Sequence, residues 1–219
     1  MLDGDAAKRL IGKVTSASVS DAMARRHGYR THAVGLVPAR PGTVTAGFAA
    51  TVRFGPRRDD IPRHDLAAAA QRALADVPEG AVLIIAAPDA PGEAVAGGKK
   101  LAAIQELGAC GVVAWGAIRD RDEAAGLEMG VWALGETPRA SGDLLQIIDV
   151  GVPVTFGGVT IVPGDWVYVD AAGLVVVPGV ERDEVLEDAA LIEQADTAAV
   201  ADIRRQGRAS RDGSSPGRP

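Results

Sequence analysis

Residues 81–87, AVLIIAA, are apolar at every position and are closed by turn residues, Pro78-Glu79-Gly80 before and Pro88-Asp89-Ala90-Pro91-Gly92 after. The run has the length of a strand and offers no polar position to face water, so it must be covered on both faces. A second apolar run, 111–115, follows a short segment, 101–107, with the pattern of a helix. Strand, helix and strand form a βαβ unit, and its crossover should be right-handed. Open α/β sheets gather their ligands beyond the C-terminal ends of such strands. The chain places Arg119, Asp120 and Glu123 after the second strand, and Asp89 after the first.

The rest of the pattern builds around this unit. A short helical lead-in is predicted over 2–11, and a helix from N-cap candidates at 15–20 to about 26. A short strand is expected around 34–37 and a longer one over 46–54, AGFAATVRF. The charged segment 55–62 reads as a loop, and Asp65 as the N-cap of a helix over 66–75. Further on come one or two helical turns at 122–127, a strand at 131–134 and a loop at 138–143. From Val152 the pattern changes to short, alternating, Val-rich segments separated by Gly157-Gly158, Pro163-Gly164-Asp165 and Ala172-Gly173. That is the signature of a β meander. Residues 180–205 read as a helix with an apolar stripe through Val185, Leu186, Ala189, Ile192 and Ile203. The chain is thus one α/β core over 1–206, and the polar, Gly- and Ser-bearing residues 207–219 read as a disordered tail.

Composition narrows the function. A net charge of −6 argues against general nucleic-acid binding. No apolar run is long enough to span a bilayer and no leader pattern opens the chain, so a cytoplasmic protein is expected. Cys110 is the one cysteine, which leaves no intramolecular disulfide, and it reads as a small buried residue entering a strand. Histidine occurs only at 27, 32 and 64, which argues against a histidine-rich metal site. Phosphate-loop, dinucleotide, zinc-protease and nucleophile-elbow motifs are absent.

The chemistry-bearing cluster is Gly97-Gly98, Lys99-Lys100, Arg119, Asp120 and Glu123, with Asp89 a further candidate. Glycines can take backbone angles that side chains forbid. Two in succession at a helix start can turn N–H groups toward one anion. Arg119 offers a bidentate partner for a carboxylate. Asp120 and Glu123, without histidines, suit a hard ion such as Mg²⁺ held largely through water. Such an ion beside an arginine can stabilise an enolate formed next to a carboxylate. The plain alternative is a solvated Arg–Asp turn. Asp21, His64, Arg139 and Ser141 read first as capping or solvated surface residues, with a ligand contact as the alternative.

These residues carry a resemblance. A glycine, twenty residues, Arg-Asp, two residues and an acid occur here as Gly98, Arg119-Asp120 and Glu123. SVSDAM, GFAATV, LGETPR and VPVTFGGVTIVPGDWVYVDAAGLVVVP accompany them. Over roughly 15–193 the chain resembles the RraA-like family, which includes the regulator of ribonuclease E activity and metal-dependent 4-hydroxy-4-methyl-2-oxoglutarate aldolases with oxaloacetate decarboxylase activity. The resemblance implies a swivelling β/β/α fold like that of phosphohistidine domains, and a homotrimer or hexamer with sites between subunits. It implies that Arg119 binds the pyruvyl carboxylate and that Asp120, with Glu123, holds Mg²⁺ or Mn²⁺. The backbone from Gly98 through Lys99 and Lys100 to Leu101 would position a small-molecule carboxylate substrate.

Two positions depart from that pattern. The aldolases usually place an acid and then a leucine after the glycine, where this chain has Lys99 and Lys100. A unit charge at 4 Å is worth on the order of 4 kcal/mol at an effective dielectric near 20, so a reversal beside Arg119 is not minor. Trp115 stands where many members have a smaller or acidic residue. Three readings follow: a divergent lyase in which Lys99 or Lys100 meets a second anionic group, a non-catalytic regulator binding a protein such as ribonuclease E, and a Schiff-base lyase using one of the lysines.

Overall fold

The computed structural model describes residues 4–87 and 92–212. Asp89 lies outside the described residues, so its expected place beside the site is not tested. The chain begins with α1 (Gly4–Ile11) and α2 (Ser16–Ala24), the latter capped by a reciprocal Thr15–Ser18 box. Two-residue strands β1 (His32–Ala33) and β2 (Val37–Pro38) lead to the twelve-residue β3 (Thr45–Pro56). Then follow α3 (Leu66–Ala75), β4 (Val82–Ala86), β5 (Ala94–Ala96), α4 (Gly98–Glu106), β6 (Gly111–Ile118), α5 (Arg121–Ala125) and β7 (Gly130–Glu136). The C-terminal part comprises β8 (Leu145–Val150), β9 (Val154–Phe156), β10 (Val159–Ile161), β11 (Trp166–Asp170), β12 (Gly173–Val177) and the long α6 (Arg182–Asp212).

The sheet runs β1-β12-β11-β3-β4-β6-β7-β2, with β5 added to β6 and β8 to β3. The strand β3 joins its two characters. Thr45 to Phe48 pair antiparallel with β11, whereas Ala49 to Arg53 pair parallel with β4. From there β4, β6 and β7 continue in parallel. Alternation along β4 explains its unbroken apolar sequence. Leu83 and Ile85 enter a core with α3 and α4, and Val82, Ile84 and Ala86 enter the core on the opposite face, which the β9–β10 hairpin closes. A third core packs α1, α2 and α6 on the β11–β12 pair. This mixed α/β fold with a central mixed sheet and long C-terminal helix agrees with the expected class.

Several local readings change. The expected strand at 34–37 is replaced by β1 and β2, which pair with different neighbours, β12 and β7. The strand expected to stop at 115 continues as β6 through Gly116 to Ile118, because β5 and β7 both offer it partners there. The meander is divided: β9 and β10 form their own two-stranded sheet, and only β11 and β12 join the large one. The helix expected to end near 205 runs to Asp212, so residues 207–212 of the expected tail are helical; 213–219 lie outside the described residues.

Candidate functional site

The parallel strands deliver β6 and its extension to one edge, where β5 pairs with it through Ala94 and Ala96. That pairing fixes the site backbone: Arg119 N–H donates to Ala96 O at 3.0 Å. Gly97 then caps α4, and the chain of α4 lies directly over the turn that follows β6. The glycines are required for a different reason than their conformational freedom. Gly97 has extended angles (φ −139°, ψ 176°), and neither Gly97 nor Gly98 has a positive φ. What they provide is space. A Cβ on Gly97 would stand 2.7 Å from Arg119 Nε and 3.0 Å from Asp120 Oδ2. A Cβ on Gly98 would overlap Glu123 Oε2. Arg119, Asp120 and Glu123 therefore all close on the volume that two side chains would otherwise fill.

The strained backbone is at Asp120 instead. It is the non-glycine residue with positive φ among the described residues (φ 59°, ψ 47°), a left-handed conformation that aspartate tolerates better than most. In that conformation its carboxylate turns back to α4, and Oδ2 accepts Gly98 N–H at 3.1 Å. The same oxygen lies 3.4 Å from Arg119 Nε, and the two side chains are 43% and 40% exposed. Hence one amide of the expected anion cradle is already held by the protein's own acid. Lys100 N–H and Leu101 N–H both turn to Gly97 O. Lys99 N–H is left as the amide of this turn with no acceptor among the described residues.

The two lysines separate. The Lys100 ammonium pairs with Asp65, the N-cap of α3, whose Oδ1 also accepts Ala67 N–H at 2.8 Å. That pairing holds the Asp65 carboxyl below its usual range. Lys99 is exposed, and its ammonium has no ion pair or hydrogen bond among the described residues. Both lysines line a cavity of about 390 Å³ together with Arg119, Arg63, His64 and Gln146. Leu101 is fully buried, and its side chain belongs to the core.

The outer wall of this cavity is held by a residue the sequence reading did not single out. Glu93 is 0% exposed, and its oxygens accept the N–H groups of Gly142, Asp143, Leu144 and Leu145 at 2.9–3.3 Å. Arg139 pairs with Asp143 at 3.0 Å and approaches Glu93 at 3.6 Å, so its guanidinium serves this wall. Ser141 lines the cavity and Asp21 is exposed on α2. A lone acid after a proline-bearing stretch of sequence carries no motif that marks such a role. Trp115 is stacked on Phe156 at 4.9 Å, where it seals the β9–β10 hairpin onto the sheet. Cys110 is largely buried, and burial pushes its thiol up to about 11, so it offers no thiolate at neutral pH.

A divalent ion can be tested against these donors. No group of three His, Cys, Asp or Glu side chains converges among the described residues. Asp120 and Glu123 do converge on the two glycines. A pair of carboxylates without softer ligands fits a hard, largely hydrated cation.

The comparisons with known proteins bear on this geometry. The RraA-like model, described as aldolase/RraA, matches residues 16–176. A Xanthomonas campestris protein provisionally named 4-hydroxy-4-methyl-2-oxoglutarate aldolase is 41% identical over 106 residues, which are 48% of this chain and 63% of that protein. The chain thus matches somewhat under two thirds of that relative's length. An Alkalilimnicola ehrlichii protein with the same provisional name is 36% identical over 59% of this chain and 80% of its own. Among solved structures, Streptomyces coelicolor RraAS2, described as an unusual member of the RNase ES inhibitor RraA protein family, superposes with a TM-score of 0.77 at 30% identity, over 90% of this chain and 96% of that one. Thermus RraA, described as an RNA-processing inhibitor, gives 0.58 at 26% identity, over 73% and 92%. With the family model spanning most of its folded core, this chain belongs to the RraA-like family.

Proposed function

We propose that the chain is a metal-dependent carbon–carbon lyase that cleaves or decarboxylates a 2-oxo acid. The observation that carries this reading is the convergence of Arg119, Asp120 and Glu123 on the space left by Gly97 and Gly98. Arg119 takes the 2-oxo carboxylate, since a guanidinium matches two carboxylate oxygens at once. The unengaged Lys99 N–H donates to a substrate oxygen, and the positive charge of the Lys99 side chain favours negative charge developing beside it. Asp120 and Glu123 would hold Mg²⁺ or Mn²⁺. When bound, that ion supplies Lewis-acid polarisation of the 2-oxo group. Asp120 is oriented for this by its bond to Gly98 N–H and by its left-handed backbone. In the decarboxylation, the bond to the departing carboxylate breaks, its electron pair forms the enolate of pyruvate, and a proton from water completes the product.

The same reading expects a homotrimer, or a hexamer built from two trimers, acting on a small-molecule carboxylate. Its test is Mg²⁺-dependent pyruvate release from oxaloacetate and from 4-hydroxy-4-methyl-2-oxoglutarate. Wild type should release pyruvate, and Arg119→Ala should raise KM at least tenfold. Equal inertness of both proteins across a broad panel of 2-oxo acids would sink the lyase reading.

The superposition on RraAS2 favours a second reading, a regulator of a ribonuclease E-type enzyme. A stoichiometric amount of this chain that leaves ribonuclease E cleavage unchanged removes it.

A further inference from the structure

The cavity beside Arg119 holds more positive charge than one carboxylate needs. Arg63, Lys99, Lys100 and Arg119 line it, against one acid, Asp65. Asp65 is already committed to Lys100 and to the N-terminus of α3. Arg119 stands beside Asp120 and faces the glycine turn. Arg63 and Lys99 remain. Neither side chain has an ion pair or hydrogen bond among the described residues. Two uncompensated cations thus share one cavity in a chain whose net charge is −6.

A second feature of the same cavity is its fixed wall. Gln146 on β8 contributes to its wall and is 6% exposed, yet its amide nitrogen and oxygen are both buried without a partner. Buried amides are normally satisfied, because leaving one unpaired forfeits its hydration with no return. The wall is also fixed in place. Glu93 binds four successive backbone N–H groups at 142–145, immediately before Gln146. A rigid wall opposite two unengaged cations is a preformed site rather than a collapsed gap.

We propose that Arg63 and Lys99 form a second anion subsite that selects 2-oxo acids whose far end carries a doubly charged phosphoryl or phosphonyl group over those ending in a carboxylate. This rests on the lyase reading for the placement of the 2-oxo acid on Arg119. The preference follows from the donors. Arg63 offers a planar fork and Lys99 a point charge from a different element, and three tetrahedral oxygens can accept both at once. A carboxylate brings one negative charge to these two cations, where a phosphonate brings up to two.

The probes are pyruvate, oxaloacetate and 3-phosphonopyruvate, which share one 2-oxo acid end and differ at the other. Binding to the full chain is measured by calorimetry with a chelator present, so that turnover is not needed. Wild type should bind 3-phosphonopyruvate at least tenfold more tightly than pyruvate and at least threefold more tightly than oxaloacetate. Arg63→Ala and Lys99→Ala should each reduce the phosphonate preference at least threefold, and Arg63→Ala should change the pyruvate Kd by less than threefold. Lys13→Ala, an exposed cation outside this cavity, should leave the preference unchanged. Arg63 and Lys99 are both exposed, so the variants should fold, and circular dichroism checks that they do. Equal affinity for the three probes, or a preference that survives both substitutions, overturns the subsite. Pyruvate release without phosphonate preference removes the subsite alone, whereas phosphonate preference without pyruvate release retains it and removes the lyase.

Discussion

Glu93 and Asp120 are acids close to the same cavity, and their surroundings differ at every point. Glu93 is completely buried and accepts four backbone N–H groups. Its own backbone has an ordinary negative φ. Asp120 is well exposed, accepts one N–H from Gly98, and sits in a left-handed conformation. A carboxylate with two oxygens has about four lone-pair directions. Glu93 has used its capacity inside the protein, so it can only build. Asp120 retains most of its capacity, and strain of about 1–2 kcal/mol is accepted to aim it. Retained capacity at a strained, exposed position is what a ligand site needs.

The largest effect should come from the filled acid. Glu93→Ala leaves four N–H groups without their acceptor, and stability in urea should fall by about 3 kcal/mol. A loss under about 1 kcal/mol would mean that water replaces the carboxylate freely, and the contrast with Asp120 would break. Gly98→Ala probes the other side. The added methyl collides with Glu123 Oε2 and comes within 2.9 Å of its Cδ, so Glu123 must swing away from Asp120. Pyruvate release should fall at least tenfold. Stability should change by under about 1 kcal/mol, because Ala is the better helix former and the displaced side chain is flexible.

The smallest effect concerns Asp65, which holds Lys100 in an ion pair. Its carboxyl is held below the usual range, chiefly by Lys100 and further by the α3 N–H groups. A depressed carboxyl contributes stability above its unfolded value, and that contribution is lost as pH falls through the folded value. Asp65→Asn keeps a capping oxygen and loses the ion pair. The pair is half-exposed and screened, so the difference from wild type at neutral pH should be under about 1 kcal/mol. It should be constant above roughly pH 4 and vanish below, as read from urea midpoints across pH. A difference that grows on acidification would contradict the assignment.

How much of this could be read from the chain varies with the signal. The helix over 66–75 and its Asp65 cap were legible because capping chemistry and apolar spacing agree there. The buried strand at 82–86 was legible because an unbroken apolar run has few other uses. The spacing from Gly98 to Arg119, Asp120 and Glu123 identified residues that do come together. Other features leave no local mark. Strand β5 has three residues, and it exists because β6 offers it an edge. Strand β8, LQIIDV, mixes polar and apolar positions without a clean period. The helix α6 passes through Gly207, a poor helix residue, so propensity stopped the reading too early. The left-handed angle of Asp120 and the closure of Glu93 on 142–145 are tertiary facts. The reason for the two glycines was misread for the same cause: what excludes a side chain is the approach of residues 119–123, which lie more than twenty positions away.

Asp120→Asn tests the division between a building acid and a reactive one most directly. Asparagine tolerates the left-handed conformation and can still accept Gly98 N–H, so the fold keeps what Asp120 gives it. Only the negative charge is removed. Pyruvate release from oxaloacetate in saturating Mg²⁺, measured beside the urea midpoint of the same preparation, should fall at least a hundredfold while the midpoint stays that of wild type. A variant that releases pyruvate within threefold of wild type, or that loses activity only because it unfolds, would contradict the role assigned to this carboxylate.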